Sequence, residues 1–158
     1  MTANTRQFSA LFLMAVFILL PFAAFAQDNR IHLTHPDAVD GATLKDGKGT
    51  LFRVYAIAPP GMARDCVNDA GQVDCAEHAR SVLERYAASF LTCTIMGTYE
   101  ESLALRCRDY QGRDIGARMV LSGWAVPDRR IGHQYIFEEL EAEARGNGIW
   151  QRRVSLVK

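Results

Sequence analysis

Four cysteines, Cys66, Cys75, Cys93 and Cys107, are the residues whose type and spacing most directly suggest chemistry. Four cysteines allow three disulfide pairings, and sequence alone does not normally choose among them. Here the local pattern helps. Cys66 and Cys75 bracket a polar stretch with the turn residues Asn68, Asp69, Gly71 and Asp74, short enough for its ends to meet. Cys93 and Cys107 sit in two strand-like runs that could face each other across an antiparallel pair. Zinc is the competing reading, but neither spacing is the two-to-four-residue interval of common structural zinc sites. Two disulfides and no metal are expected.

Other residue types invite a chemical reading more weakly. His32 and His35 could share a metal ion, yet no third ligand stands at a suitable spacing, so a solvated pair is the plainer expectation. His78 and His133 are expected at the surface. Arg53 lies in a β-forming run, where a guanidinium could hold an oxyanion such as a phosphate, a uronate or a pyruvyl carboxylate. Pairing with a nearby acid is the simpler alternative. The loop carboxylates Asp65, Asp69 and Glu101 would turn such an arginine toward catalysis only if they fold beside it. Arg129-Arg130 and Arg152-Arg153 read as solvated pairs, offset by Glu138, Glu139, Glu141 and Glu143.

The elements that must position these residues begin after a processing signal. Residues 1–26 carry one charge, Arg6, then an apolar run from Ala10 to Phe25, and end in the small-x-small sequence Ala24-Phe25-Ala26. This pattern predicts a secretory signal peptide over 1–26. A membrane anchor is the alternative, but the run is shorter than the roughly 20 residues that span a bilayer. Cleavage would take 26 of the 158 residues and leave 132, with 17 basic residues against 18 acidic. Export to the periplasm or the medium favours disulfides over free thiols.

Residues 27–158 then form the one expected domain. The whole chain is 49% apolar and 23% charged, which excludes a largely disordered or collagen-like protein. Its 18 basic and 18 acidic residues lack the electrostatic footprint of a dedicated nucleic-acid binder. Gln27–Asn29 should be frayed. Val39–Leu44 and Thr50–Ile57 read as strands, and Ala58-Pro59-Pro60-Gly61 opens a long loop running to Cys75. Ala79, Val82, Leu83, Tyr86, Ala87 and Phe90 form one apolar stripe, which predicts a helix over 76–91 with Asp74 as its cap. Strands are expected at 92–96 and 103–107. A short helix over 114–122 should stop at Gly123, and a third over 134–145 at Gly146. The sum is an α+β domain.

Several segments together resemble the staphylococcal nuclease (thermonuclease-like) family. They are Asp40-Gly41-Ala42-Thr43-Leu44, the run Phe52 to Pro60, the Cys66–Cys75 loop and its helix, and Arg106-Cys107 before Gly112-Arg113-Asp114-Ile115-Gly116. Val120-Leu121-Ser122-Gly123-Trp124-Ala125 and Gly146-Asn147-Gly148-Ile149-Trp150 follow in the family's order. The resemblance covers about residues 38–150. It implies a five-stranded OB-fold β-barrel with three helices, with Trp124 and Trp150 packed as core rather than serving as sugar-stacking platforms.

The family's chemistry is Ca²⁺-assisted phosphodiester cleavage, which needs hard oxygen ligands, a glutamate base and two phosphate-holding arginines. Carried over position by position, the resemblance puts Ala42 and Ala58 where the metal aspartates belong and Gly61 where the base belongs. The second arginine falls on Ser102, or on Leu103 if the register shifts. Only Arg53 keeps its family identity. The implied reading is a nuclease fold with no catalytic set and no Ca²⁺ site. Its role would be binding, to a protein or to an acidic polymer such as a polysaccharide rather than to nucleic acid, with no membrane association after cleavage of the signal. Tyr99, Glu100 and Glu101 lie on the loop that would grip a substrate. Small exported thermonuclease-like proteins include one carried in rhizobial gene clusters for the acidic exopolysaccharide succinoglycan, which this chain resembles in size, signal peptide and nuclease-like core; that resemblance implies an accessory role in exopolysaccharide biosynthesis. A polymer-cleaving enzyme rebuilt around Arg53 is the alternative.

Overall fold

The structure is a computed structural model that describes residues 29–61, 66–68 and 71–151, the side chains of 66–68 and 71–73 excepted. Residues 1–26, for which the sequence predicts a signal peptide, lie outside the described residues, as do Asp65, Asp69, the Cys66 side chain and the Arg152-Arg153 pair.

Six strands make one sheet: β1 (Arg30–Thr34), β2 (Asp37–Asp40), β3 (Thr43–Lys45), β4 (Leu51–Val54), β8 (Phe90–Tyr99) and β9 (Ser102–Arg108). Their order is β1-β8-β9-β4-β3-β2, antiparallel throughout except that β4 and β9 run parallel. The two outermost strands, β1 and β2, are separated in the chain only by His35 and Pro36. Two short ribbons complete the β-structure: β5 (Ile57–Ala58) with β10 (Val126–Pro127), and β6 (Cys66–Asn68) with β7 (Gly71–Val73).

Three helices pack with the sheet: α1 (Cys75–Ala87), α2 (Ile115–Leu121) and α3 (Ile136–Arg145). Asp74 caps α1 by accepting from the Ala76 amide at 2.9 Å, and Asp114 caps α2 by accepting from the Ala117 amide at 3.1 Å. Such caps satisfy amides that the first helical turn leaves without partners. The α1 stripe buries Ala79, Val82, Leu83 and Ala87, which meet Leu44, Leu91, Leu105, Ile115 and Met119 in one core. Gly123 and Gly148 hold the last turn against α2. A Cβ on Gly123 would meet the Asn147 carbonyl oxygen at 2.1 Å, and both glycines have positive φ, so neither position admits a side chain. The Ile149 amide donates to the Gly123 carbonyl at 3.0 Å across this contact.

The α+β class and, among the described residues, the three α-helices are as expected. So is the cross-strand disulfide: Cys93 and Cys107 stand opposite each other in the β8–β9 ladder and are bonded, with Cα atoms 4.0 Å apart. Cys75 is also disulfide-bonded. The sheet departs from the expected five strands because backbone breaks divide the predicted ones. Asp40 turns the chain at Gly41-Ala42, and Ala56 in the left-handed region ends β4 before Ile57. The strand β1 was not expected, yet Leu33 is buried in the core while His32 and Thr34 face outward. The predicted loop at 61–75 contains β6 and β7. The predicted first helix is too long by four residues: the chain turns at Ala88-Ser89, Phe90 starts β8 at 45% exposure, and Leu91 belongs to β8.

Candidate functional site

The Asp40–Thr43 turn and β4 together hold Arg53. The Asp40 carboxylate accepts from the Ala42 amide at 2.6 Å through Oδ1 and from the Thr43 hydroxyl at 2.9 Å through Oδ2. That hydroxyl in turn accepts from Arg53 Nη1 at 2.6 Å, and the same nitrogen stands 3.6 Å from Asp40 Oδ2. Thr43 and Arg53 are ladder partners on β3 and β4, so the sheet register makes the contact. Arg53 is mostly covered, with 19% of its side chain exposed.

Tyr99, at the end of β8, closes the other side. The Arg53 guanidinium carbon lies 5.3 Å from the Tyr99 ring centre, and that of Arg130 lies 5.4 Å from it, both within cation–π range. Arg130 Nη2 also donates to the Tyr99 hydroxyl. Arg130 is itself clamped by Asp128, whose Oδ1 accepts from Nε at 2.9 Å and whose Oδ2 accepts from Nη2 at 2.7 Å. The Asp128 side chain is buried, and its backbone amide ties it to the Ala56 carbonyl at 2.9 Å. The Arg130 hydrogen bonds hold the Asp128 carboxyl below the usual carboxylate range against the opposing effect of burial, and the Arg53 charge adds to this. The space among Arg53, Tyr99, Ala104, Asp128 and Ile131 is filled by side chains, leaving no room for a water-sized guest. Any ligand would therefore lie on the outer side of the two guanidinium groups.

The other positions that the resemblance singles out bring no charge to Arg53. Ala42 is fully buried in the turn, and Ala58 is half-buried on β5 opposite Val126. Gly61 is exposed, and a Cβ added there would meet nothing within 4 Å. Ser102 opens β9 opposite Tyr99, and Leu103 follows it opposite Phe52. Glu100 and Glu101 are exposed on the intervening turn. Among the described residues, no group of three or more His, Cys, Asp or Glu side chains is arranged to hold a metal ion.

The histidines are dispersed. His32 stacks on Phe90 with ring centres 5.1 Å apart, while His35 sits on the left-handed turn between β1 and β2. His133 is exposed. His78 departs from the expected surface position: it is half-buried, because Trp124 reaches over α1 and brings the rings to 4.2 Å. Trp124 is buried and Trp150 half-buried.

Arginine–carboxylate pairs recur elsewhere, and the sequence reading missed them. The buried Asp109 accepts from Arg113 Nε at 2.8 Å, from Arg118 Nη1 at 3.1 Å and from the amides of Gln111 and Arg113. Asp114 accepts from Arg106 Nε at 2.9 Å and from the Tyr135 hydroxyl at 3.0 Å. Arg129 is expected to be solvated with its neighbour, yet it donates to Glu139 at 2.5 Å, and Glu139 is buried on α3. Arg130 is likewise bound to Asp128, although its own surface remains open. The available signal is local: Asp128-Arg129-Arg130 and Asp109-Tyr110-Gln111-Gly112-Arg113 each place an acid two to four residues before an arginine, within bidentate reach.

No family model matches the chain. A stretch of 98 residues is 31% identical to auxin response factor 17 of Oryza sativa subsp. indica, and equally to that of subsp. japonica. The aligned stretch is 59% of this chain, and it spans only 11% of the length of those relatives.

Proposed function

We propose that the chain is an exported, thermonuclease-like OB-fold protein that binds an acidic ligand without cleaving it. The observation that carries this reading is the setting of Arg53. It is held by Thr43 and Asp40 on one side and by Tyr99 on the other, with Arg130 against the same ring. Two guanidinium groups on one aromatic ring suit a carboxylate or phosphate lying across them. Hydrolysis would need a water-activating base and a metal anchor, and Ala42, Ala58 and Gly61 supply neither.

The strand order supports the OB-fold part of the reading. In a flat sheet of six strands the outer two would lie roughly 24 Å apart. The two residues between β1 and β2 reach at most about 11 Å from Thr34 to Asp37. The sheet therefore curls its edges toward each other, although β1 and β2 are not hydrogen-bonded to one another and the sheet is not closed. On the resemblance to exported family members, the ligand is an acidic exopolysaccharide and the role an accessory one in its biosynthesis.

A rebuilt hydrolytic site around Arg53 is the second reading, favoured by Asp128 and Asp40 flanking that arginine. Its weakness is that both Asp128 oxygens are bound by Arg130 and its carboxyl is held low, which makes a poor general base at neutral pH.

The test is retention of the exported protein on an acidic, pyruvylated or succinylated polysaccharide against the same polymer stripped of its acidic groups. Salt-sensitive retention on the acidic polymer alone, weakened about tenfold in Arg53→Gln and Tyr99→Ala, is expected. Equal retention on the stripped polymer, or shortening of the polymer chain, would overturn the reading.

A further inference from the structure

A second cluster of arginines lines a cleft that shares no residue with the Arg53 site. Arg85 comes from the end of α1, and Arg113 and Arg118 come from the turn and helix after β9. With Tyr86, Asp109 and Tyr110 they border a space of about 290 Å³. Asp109 is the carboxylate of this lining, with 2% of its side chain exposed, and it is already engaged by Arg113 and Arg118. Three guanidinium charges against one carboxylate leave an excess of two positive charges. Among the described residues Arg85 forms no ion pair. Gathering like charges in one cleft costs energy unless an anion offsets it.

The aromatic groups are placed to complement such an anion. Arg118 lies over Tyr86, its guanidinium carbon 3.8 Å from the ring centre, which restrains the guanidinium. The Asp109 contacts use Nε of Arg113 and Nη1 of Arg118, and Arg113 is half exposed. Tyr110 stands at the rim with 71% of its surface exposed, far more than a tyrosine needs for packing. A volume near 300 Å³ is at the small end of ligand pockets. It suits one ring bearing one charged group.

We propose that this cleft is an anion site for a monosaccharide-sized ring carrying a carboxylate or a phosphate. Arg113 and Arg118 hold the oxyanion, Arg85 adds long-range attraction, and the exposed Tyr110 face covers the ring. Asp109 is the positioning residue: its buried carboxylate aligns both arginines and does not touch the ligand.

The experiment is a calorimetric titration of the exported protein with glucuronate, glucose 6-phosphate, inorganic phosphate and glucose at low salt. Glucuronate or glucose 6-phosphate should bind saturably and glucose should not; the arm that binds more tightly says whether carboxylate or phosphate is the preferred group. Arg118→Gln and Arg113→Gln should each weaken that binding about tenfold. Either variant leaves Asp109 with the other arginine and two amides, so the fold survives, which a thermal melt checks. Tyr110→Ala should weaken the sugar anions and leave inorganic phosphate unchanged. The same titrations in Arg53→Gln, which removes small-anion binding at the polymer site, should keep the Arg118-dependent binding, and this separates failure of this site from failure of the polymer-binding reading. Binding of glucose as tight as that of its anions, no binding by any anion, or full binding by a folded Arg118→Gln protein would each overturn the proposal.

Discussion

Thr43 stands directly opposite Arg53 in the β3–β4 ladder, and its hydroxyl joins that arginine to Asp40: it accepts from Arg53 Nη1 at 2.6 Å and donates to Asp40 Oδ2 at 2.9 Å. The arginine is thus held by a neutral relay rather than by a close ion pair, since its own distance to the carboxylate is 3.6 Å. A guanidinium held in this way keeps part of its charge available to a ligand.

Replacing Thr43 by valine keeps the shape and removes the relay. Thr43 is buried, so the change leaves Arg53 and Asp40 each short of a partner and should cost about 1–3 kcal/mol. Urea denaturation measures it. Retention on an acidic polymer should fall along with stability, because Arg53 is no longer fixed. Unchanged stability would mean that water replaces the hydroxyl.

The disulfide between Cys93 and Cys107 closes a loop with a sequence separation of 14 and lies wholly in the core. Bridges closing loops of this size typically contribute about 3 kcal/mol. A Cys93→Ala, Cys107→Ala protein should lose at least that much in urea denaturation, the buried sulfurs adding a packing loss. An unchanged unfolding midpoint would show that the ladder alone holds β8 and β9 together.

Much of this frame is legible in the sequence, for local reasons. The Ala79–Val82–Leu83 spacing marks α1, Asp74 and Asp114 announce their helices, and Gly146 ends α3 with φ of 67°. What escaped depends on contacts between distant segments. Phe90 continues the helical period of α1, and only pairing of β8 with β1 takes it into a strand. Five residues, Arg30–Thr34, carry too short an alternation to stand out beside a frayed start, yet β8 supplies all their ladder partners. At the candidate site, Arg53 could be singled out, but its meeting with Tyr99 and Arg130 could not. Tyr99 and Arg130 are 31 residues apart, and Arg130 reads as a solvated charge until Asp128 is seen beneath it.

Acid stability follows from two aspartates. Asp128 has its pKa lowered by the Arg130 hydrogen bonds; in Asp109 burial pushes upward, but the Arg113 amide and guanidinium and the Gln111 amide outweigh it. A carboxyl with a lowered folded-state pKa stabilises above its unfolded value of about 4 and loses that contribution as pH falls through the folded value. Stability should therefore decline on going below about pH 4. Asp128→Asn and Asp109→Asn should be less stable at pH 7 and should lose less than the parent between pH 5 and acid, as read by unfolding at each pH. Parallel profiles would assign the acid limb to other groups.

The alkaline side depends on Tyr135. Burial raises its phenol pKa, and the neighbouring Asp114 charge raises it further, against the opposing effect of Arg106. In the unfolded chain the phenol ionises near pH 10. Above that pH the unfolded state releases a proton that the folded state retains, so stability falls as pH rises. Tyr135→Phe should flatten this decline, at a cost of about 1 kcal/mol at neutral pH for the lost hydrogen bond to Asp114. An equally steep alkaline decline in the variant would place the titrating group elsewhere.

The most direct test of a binding rather than a cleaving role is incubation of the purified protein with single-stranded DNA and RNA, with and without Ca²⁺, beside an Arg53→Ala control. No cleavage products are expected in any condition, and no difference between the two proteins. Ca²⁺-dependent products that disappear in Arg53→Ala would contradict that role, and would place a working catalytic centre around Arg53.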